Sequence, residues 1–356
     1  MEILREIDEA FTLDPSIDEI GLLFDRSSPH TLLVDHKLGI ATKSLKPLFK
    51  YVSGELWRLL VDYEKALSSS HDEVHRLTRA MLIVRGDSPR ALHLRKDLLD
   101  RHHLPLDAEI PLLDMIFILH PKSPSCWEHR RWILNRIYSP RLPPSVVARE
   151  LELCSRMADR YPRNYYAWIH RIWLLGQSDC AAKTAERRFV REWIRLHPSD
   201  HSAVSYQQLL IAEDTPRDTE AVAVWETIKD EISANRELLS NYAEHETLWL
   251  QRRSLMLIYL PLMTDSQASE DRLMTSLEKF LKAIRSVEVV DVSSAESEYH
   301  SPPVLVDLLH NELSLCTSQI SSEVDGIRRL NITRCCLRYI TFLFKHVTLA
   351  NSLCVT

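Results

Sequence analysis

The residues able to do chemistry are few and loosely grouped. Three histidine pairs have ligand-like spacing: His71 with His75, His102 with His103, and His197 with His201. A spacing of four puts both imidazoles on one face if one helix runs through them. No third ligand stands nearby, and HETLW at 245 departs from the H-E-x-x-H zinc pattern. Cys335 and Cys336 are adjacent, so at least one faces a core. There is no glycine-rich phosphate loop and no G-x-S-x-G. These absences argue against a self-contained enzyme, and no metal or cofactor is assigned to this chain. One basic group remains, made of Lys122, Arg130, Arg131, Arg136 and Arg141. Lys122 beside a helix N-terminus could attract an anion. The alternative is a solvated face whose arginines pair with acids of neighbouring helices.

The element that must position this group recurs. HPKSPSCWEHRR (120–131) returns as YPRNYYAWIHR (161–171). In both, Pro stands two residues before a polar cap (Ser123, Asn164) and Trp follows the cap by four (Trp127, Trp168). His-Arg then follows the Trp as His129-Arg130, continued by Arg131, and as His170-Arg171. Looser copies have Ser88 with Leu92 and Arg95, Asp200 with Val204, and Trp249 with Arg252 and Arg253. The Trp slots at 92, 127, 168, 204 and 249 lie 35, 41, 36 and 45 residues apart, the period of a helical-hairpin array. Ser, Asn or Asp at a helix start accepts a bond from an orphan backbone N–H, and Pro is pre-set for the first helical position. Ser125 with Glu128 could instead form a capping box. The Trp, one turn in, packs against the preceding helix of its own repeat with an Arg stem beside it.

Composition agrees. The chain has 356 residues, 45% hydrophobic and 26% charged, enough to bury large cores and too apolar to be disordered throughout. Six glycines are too few to punctuate an α/β protein. The net charge of −6 gives no support to a nucleic-acid surface. Seven cysteines without C-x-x-C pairs, and no secretory leader, point to the cytoplasm. No run approaches the roughly 20 apolar residues that span a bilayer.

In chain order, 1–69 is read as an N-terminal segment and first packed helix. HTLLVDHKLGI within it is either a short strand or a capping segment, and the helix runs from Lys50 to Ala66. Five repeats occupy 70–262, with Pro111 bending its helix or marking the first turn. Residues 263–356 form a helical cap with a possible degenerate repeat, containing a helix at SEDRLMTSLEKFLKAI and a polar linker at VVDVSSAESEYHSPP. The expected fold is all-α, a right-handed superhelical array of antiparallel helix hairpins.

PRNYYAWIHR (162–171) and PKSPSCWEHRR (121–131) resemble the repeat of protein prenyltransferase α subunits. The weaker copies extend the likeness over about 70–285. The resemblance implies an α–α crescent around a separate β subunit that holds the catalytic zinc. The pair would transfer an isoprenoid from its diphosphate to a protein cysteine near the C-terminus, geranylgeranyl before farnesyl. In that family the second repeat reads P-K-N-Y-x-x-W-x-H-R-R and its Lys helps hold the diphosphate, which implies this role for Lys122. Ser123 and Pro124 replace the Asn and Tyr. Ser125 stands where farnesyltransferase-type subunits carry a Gln that meets the substrate carboxylate. In the third repeat, Asn164 and Tyr165 keep the family pair and are expected to build the repeat interface. The alternative is a non-catalytic helical scaffold that binds protein partners.

Overall fold

The computed structural model describes residues 2–25, 27–178, 180–213, 221–259, 303–323 and 325–354. The expected helix at 269–284 and the linker at 289–303 therefore lie outside the described residues, apart from Pro303. Two compact units divide the chain, 1–180 and 181–356.

The first unit opens with helix α1 (Glu2–Leu13), whose Ile3, Leu4, Ile7 and Ala10 form one buried stripe. Strands β1 (Glu19–Leu23), β2 (Thr31–Val34) and β3 (Lys37–Ala41) follow, in the order β1-β3-β2. β1 runs parallel and β2 antiparallel to β3, with Ile20 opposite Leu38 and Leu33 opposite Leu38. Ile20, Leu38 and Ile40 are fully buried by the period-two alternation. The β2–β3 turn places Asp35 at φ 47° and His36 at φ 63°, the left-handed pair of a tight hairpin. The segment left open between strand and cap is thus a strand hairpin.

The helix expected from Lys50 to Ala66 is two helices. α2 (Thr42–Leu59) starts earlier and contains Pro47, and a 3-10 turn at Leu60–Asp62 interrupts it. α3 (Tyr63–Ser69) then restarts because the Asp62 carboxylate accepts from Lys65 N at 3.3 Å.

Three hairpins complete this unit: α4 (His71–Val84) with α5 (Pro89–Asp100), α6 (Glu109–Leu119) with α7 (Pro124–Ile137), and α8 (Pro144–Arg160) with α9 (Tyr165–Leu175). Pro111 lies in the first turn of α6, where its missing N–H costs no helical bond. Ser123 caps α7 by accepting from Cys126 N at 3.2 Å, so the Ser125–Glu128 box does not form. Asn164 caps α9 through Ala167 N at 3.4 Å. Ser88 precedes α5 without a side-chain cap bond, while Pro89 fills the first helical position.

The second unit holds α10 (Cys180–Leu196), α11 (His201–Glu213), α12 (Ala221–Asn241) and α13 (Glu246–Tyr259), then α14 (Pro303–Ser322) and α15 (Gly326–Cys354). Asp200 caps α11 by accepting from Ser202 N and Ala203 N at 3.0 and 3.2 Å. No helix of the described residues is long and apolar enough to cross a membrane.

Candidate functional site

The turns that join the helices of each hairpin form one stitched edge in the first unit. His120 Nε2 donates to Ile83 O at 2.8 Å and Cys126 Sγ to Gly86 O at 3.0 Å. A Cβ at Gly86 would stand 2.5 Å from His120 Cβ, so the close approach of these turns requires glycine there. One repeat on, Tyr161 OH donates to Ile118 O at 2.8 Å and Asn164 Nδ2 to Pro121 O at 3.0 Å. Pro121 O also accepts from Trp127 Nε1 at 2.9 Å, six residues on. Trp249 repeats the bond to Ala243 O at 2.7 Å.

Lys122 projects from this edge. It is exposed, and its Nζ donates to Pro162 O at 2.9 Å. Ser123 beside it is buried by its capping role and Pro124 is exposed. Ser125 Oγ donates to Asp87 Oδ1 at 2.6 Å across to the preceding turn. The arrangement brings one ammonium group to a capped helix start, and Lys122 makes no ion pair among the described residues.

The three tryptophans sit inside the hairpins. Trp127, Trp168 and Trp249 are 0%, 3% and 2% exposed. Trp127 stacks on Phe117 of its own hairpin at 4.1 Å and tilts against His170 of the next at 5.1 Å.

His129, Arg130 and His170 after the Trp have a partner that motif spacing does not reveal, a glutamate on the first helix of a hairpin. Glu109 on α6 accepts from Arg95 Nε at 3.0 and 3.1 Å and from His129 Nε2 at 3.1 Å. Glu150 on α8 accepts from Arg130 Nε and Nη2 at 2.6 and 2.8 Å and from His170 Nε2 at 3.0 Å. In the second unit, Glu186 accepts from Tyr206 OH at 2.7 Å, and Glu231 from Gln207 Nε2 at 2.8 Å and Arg191 Nε at 3.0 Å. Glu312 on α14 closes the series, taking Arg252 Nε at 3.0 Å and Tyr339 OH of α15 at 2.8 Å. Glu109 to His129, Glu150 to His170 and Glu186 to Tyr206 are each 20 residues apart. Glu109, Glu150 and Glu312 each join the second helix of one hairpin to the second helix of the next. Arg130 is therefore not on a solvated face: it is 1% exposed and also meets Asp114 Oδ1 at 2.8 Å.

The electrostatics follow from burial and pairing. Burial pushes the Glu109 carboxyl up, but Arg95 and the His129 and Arg95 hydrogen bonds outweigh it and hold it at about 2. Glu150 likewise lies at about 2, burial being overcome by bonds from His170 and Arg130. His129 and His170 are pushed down by burial, and their Nδ1 atoms are buried without a hydrogen-bond partner. Each is therefore a neutral ring that donates Nε2–H to its glutamate. Burial and the Arg95 charge push His75 down to about 4. These are framework groups, fully satisfied at the carboxylate and closed to substrate.

The remaining candidates separate. Arg131 is half-buried on α7 and Arg141 is exposed, while Arg136 pairs with Asp100 and lies 4.8 Å over the Trp132 ring. Arg171 donates to Leu151 O at 3.1 Å and Ser155 Oγ at 3.0 Å. Arg253 lies 4.3 Å over Phe342. Asn164 builds the repeat interface as expected of its type, but Tyr165 does not, being 57% exposed because the cap turns it to the outer side of α9. His197 precedes α11, so it shares no helical face with His201, whose Nε2 bonds Thr247 Oγ1 at 3.0 Å. His71 stacks on His103 at 4.3 Å. Among the described residues no three His, Cys, Asp or Glu side chains come together to hold a metal. Cys335 and Cys336 are both buried, and burial pushes Cys335 up to about 11.

Comparison with known proteins fits this architecture. The family model "Protein prenyltransferase alpha subunit repeat" matches residues 106–137 and 147–178, the two hairpins with intact Trp-x-His-Arg. Protein prenyltransferase alpha subunit repeat-containing protein 1-B of Xenopus laevis is 30% identical, over 75% of this chain and 74% of that protein. The corresponding Homo sapiens protein is 29% identical, over 75% of this chain and 80% of its own length. Geranylgeranyl transferase type-2 subunit alpha of Rattus norvegicus is 33% identical over 110 residues, 31% of this chain and 18% of that one. With α–α superhelical repeats of this type in place and relatives matched along most of its length, the chain belongs to the family of protein prenyltransferase alpha subunit repeat-containing protein 1.

Proposed function

We propose that the chain is the α-type subunit of a heterodimeric protein prenyltransferase. It supports a separate β subunit, which carries the zinc and transfers an isoprenoid from its diphosphate to a cysteine thiol near the C-terminus of a protein. The observation that carries this reading is Lys122, held at the capped start of α7 within the matched repeat and making no ion pair among the described residues. An ammonium has three donors, so Lys122 can keep its bond to Pro162 O and still donate to a phosphate oxygen. Its charge would then neutralise part of what builds on the diphosphate as the bond to the isoprenoid breaks. Geranylgeranyl is the favoured group. The residues at 123–125 depart from the farnesyl-type pattern, and the rat relative matched is by name a geranylgeranyl transferase subunit.

The second reading, a scaffold without transfer, draws on the same turn. Ser125 is engaged by Asp87, so the position that meets the peptide carboxylate in farnesyl-type subunits is spent, and Pro124 lacks the hydroxyl of the family Tyr. Co-expression with prenyltransferase β subunits, size-exclusion chromatography and metal analysis separate the two. The transferase reading expects a stable 1:1 complex containing zinc, with an interface above the standard class of roughly 1,600 Å². Absence of any such complex, under conditions where known pairs form, establishes the scaffold.

A further inference from the structure

A groove far along the chain from Lys122 plays no part in the transfer reading. Trp57, Leu60 and Val61 line one side of it, and Tyr63, Arg90, His93 and Leu94 complete it, around a cavity of about 350 Å³. The 3-10 turn at Leu60–Asp62 creates it by breaking the helix and turning Val61 outward. Trp57 is 64% and Val61 83% exposed, a costly pair to leave in water together. Arg90 lies 5.0 Å over the Trp57 ring. Unlike Arg58, Arg79, Arg101 and Arg136, each paired with a carboxylate, Arg90 makes no ion pair among the described residues, and the Asp97 carboxylate behind the groove wall is taken by the Tyr63 hydroxyl and lies 3.7 Å from His93 Nε2.

We infer that this groove docks a peptide segment of a partner protein in which one aliphatic or aromatic anchor is followed by carboxylates. The anchor fills the cavity beside Trp57, and a carboxylate takes the Arg90 guanidinium, whose planar fork suits it. The volume holds one or two side chains, which suits a short linear segment. A second copy of this chain seated isologously would bring the same uncompensated cation to both sides of the contact.

The test uses the full-length chain and fluorescein-labelled synthetic peptides in an anisotropy titration. One peptide carries a Leu anchor followed by two Asp, the second replaces the Asp by Lys, and the third replaces the Leu by Ser. The acidic Leu peptide should bind at least about tenfold more tightly than either control. Trp57→Ala should weaken it by a similar factor, and Arg90→Glu should reverse the preference between Asp and Lys. Both side chains are at the surface, and an unchanged circular dichroism melt confirms that the variants fold. Equal binding of the three peptides, or acidic-peptide binding untouched by Trp57→Ala, overturns the inference. So does a dimer of the chain that Trp57→Ala dissolves.

Discussion

Replacing Glu150 tests the physical core of the array. Its side chain is fully buried and accepts two bonds from Arg130 and one from His170. Glu150→Leu leaves a guanidinium that is 1% exposed with Asp114 as its remaining carboxylate and removes the acceptor for the His170 ring. Breaking a buried pair by deleting one partner costs about 3–5 kcal/mol, since the surviving charge stays desolvated. Asp114 is nearly half exposed and compensates only in part, which places the expected loss near the middle, at about 4 kcal/mol. For a unit of this size that lowers the melting midpoint by roughly 8–16 °C. Calorimetry should show the unit containing Glu150 melting earlier while the transition of the second unit holds. The double variant Glu150→Leu with Arg130→Met should recover most of the loss, because an apolar pair of similar volume replaces a charge pair. A single-variant loss under about 1 kcal/mol, or a double variant no better than the single, would refute the ladder as the coupling between hairpins.

Trp168→Ala should cost about 3–5 kcal/mol by cavity formation, and a denaturant titration showing under about 1 kcal/mol would contradict its buried position. Acid should act in two windows. The unfolded chain binds protons at His75 from its ordinary 6.5 downward while the folded chain resists to about 4, so stability falls as pH drops between these values. Glu109 and Glu150 are depressed from 4.5 to about 2, so their contribution is intact above 4.5 and is lost from there towards 2. His75→Gln should flatten only the upper limb of a melting-midpoint profile against pH; an unchanged profile would remove His75 from the account. In the heterodimer, Lys122→Ala should leave assembly intact and lower the single-turnover transfer rate by roughly tenfold to a thousandfold. An unchanged rate would reduce the chain to a holder of its partner.

The recurrence of Trp and His-Arg is readable because a hairpin array repeats its packing at a fixed period, and the Trp127 and Trp249 indoles each bond the carbonyl six residues earlier. The N-terminal sheet was less legible. Its strands are four and five residues long, and the hairpin turn is Asp35-His36 with no glycine to announce it. The break at Leu60–Asp62 was hidden because Leu56, Leu59, Leu60 and Tyr63 fit one helical stripe, and apolar periodicity continues across a 3-10 turn. At the candidate site, Tyr165 was assigned to the interface by its family position, yet the capping geometry sends Asn164 inward and Tyr165 outward.

The glutamates were hidden for a different reason, and it bears on how the array holds together. A Glu in an amphipathic helix reads as solvent-facing, since a lone carboxylate is almost never buried. Here α7 supplies His129 to the carboxylate of its own repeat and Arg130 to that of the following one, and Glu150 is thus solvated by protein from both sides, by Arg130 and His170. The signal in the sequence is the interval: a Glu 20 residues ahead of the position two past the Trp slots at 127, 168 and 204, met at Glu109, Glu150 and Glu186, with Glu231 standing at the same interval before Gln251; the first slot, Leu92, has Val74 there. Where the Arg becomes Gln207, the carboxylate of Glu231 keeps an arginine by drawing Arg191 from α10. Chemistry at the carboxylate is thus maintained while the residue that supplies it changes, which is what a structural ion pair demands and a catalytic contact would not tolerate. That distinction separates the buried Arg130 and Arg252, which hold hairpin to hairpin, from Lys122 at the turn, which is exposed and makes no ion pair among the described residues.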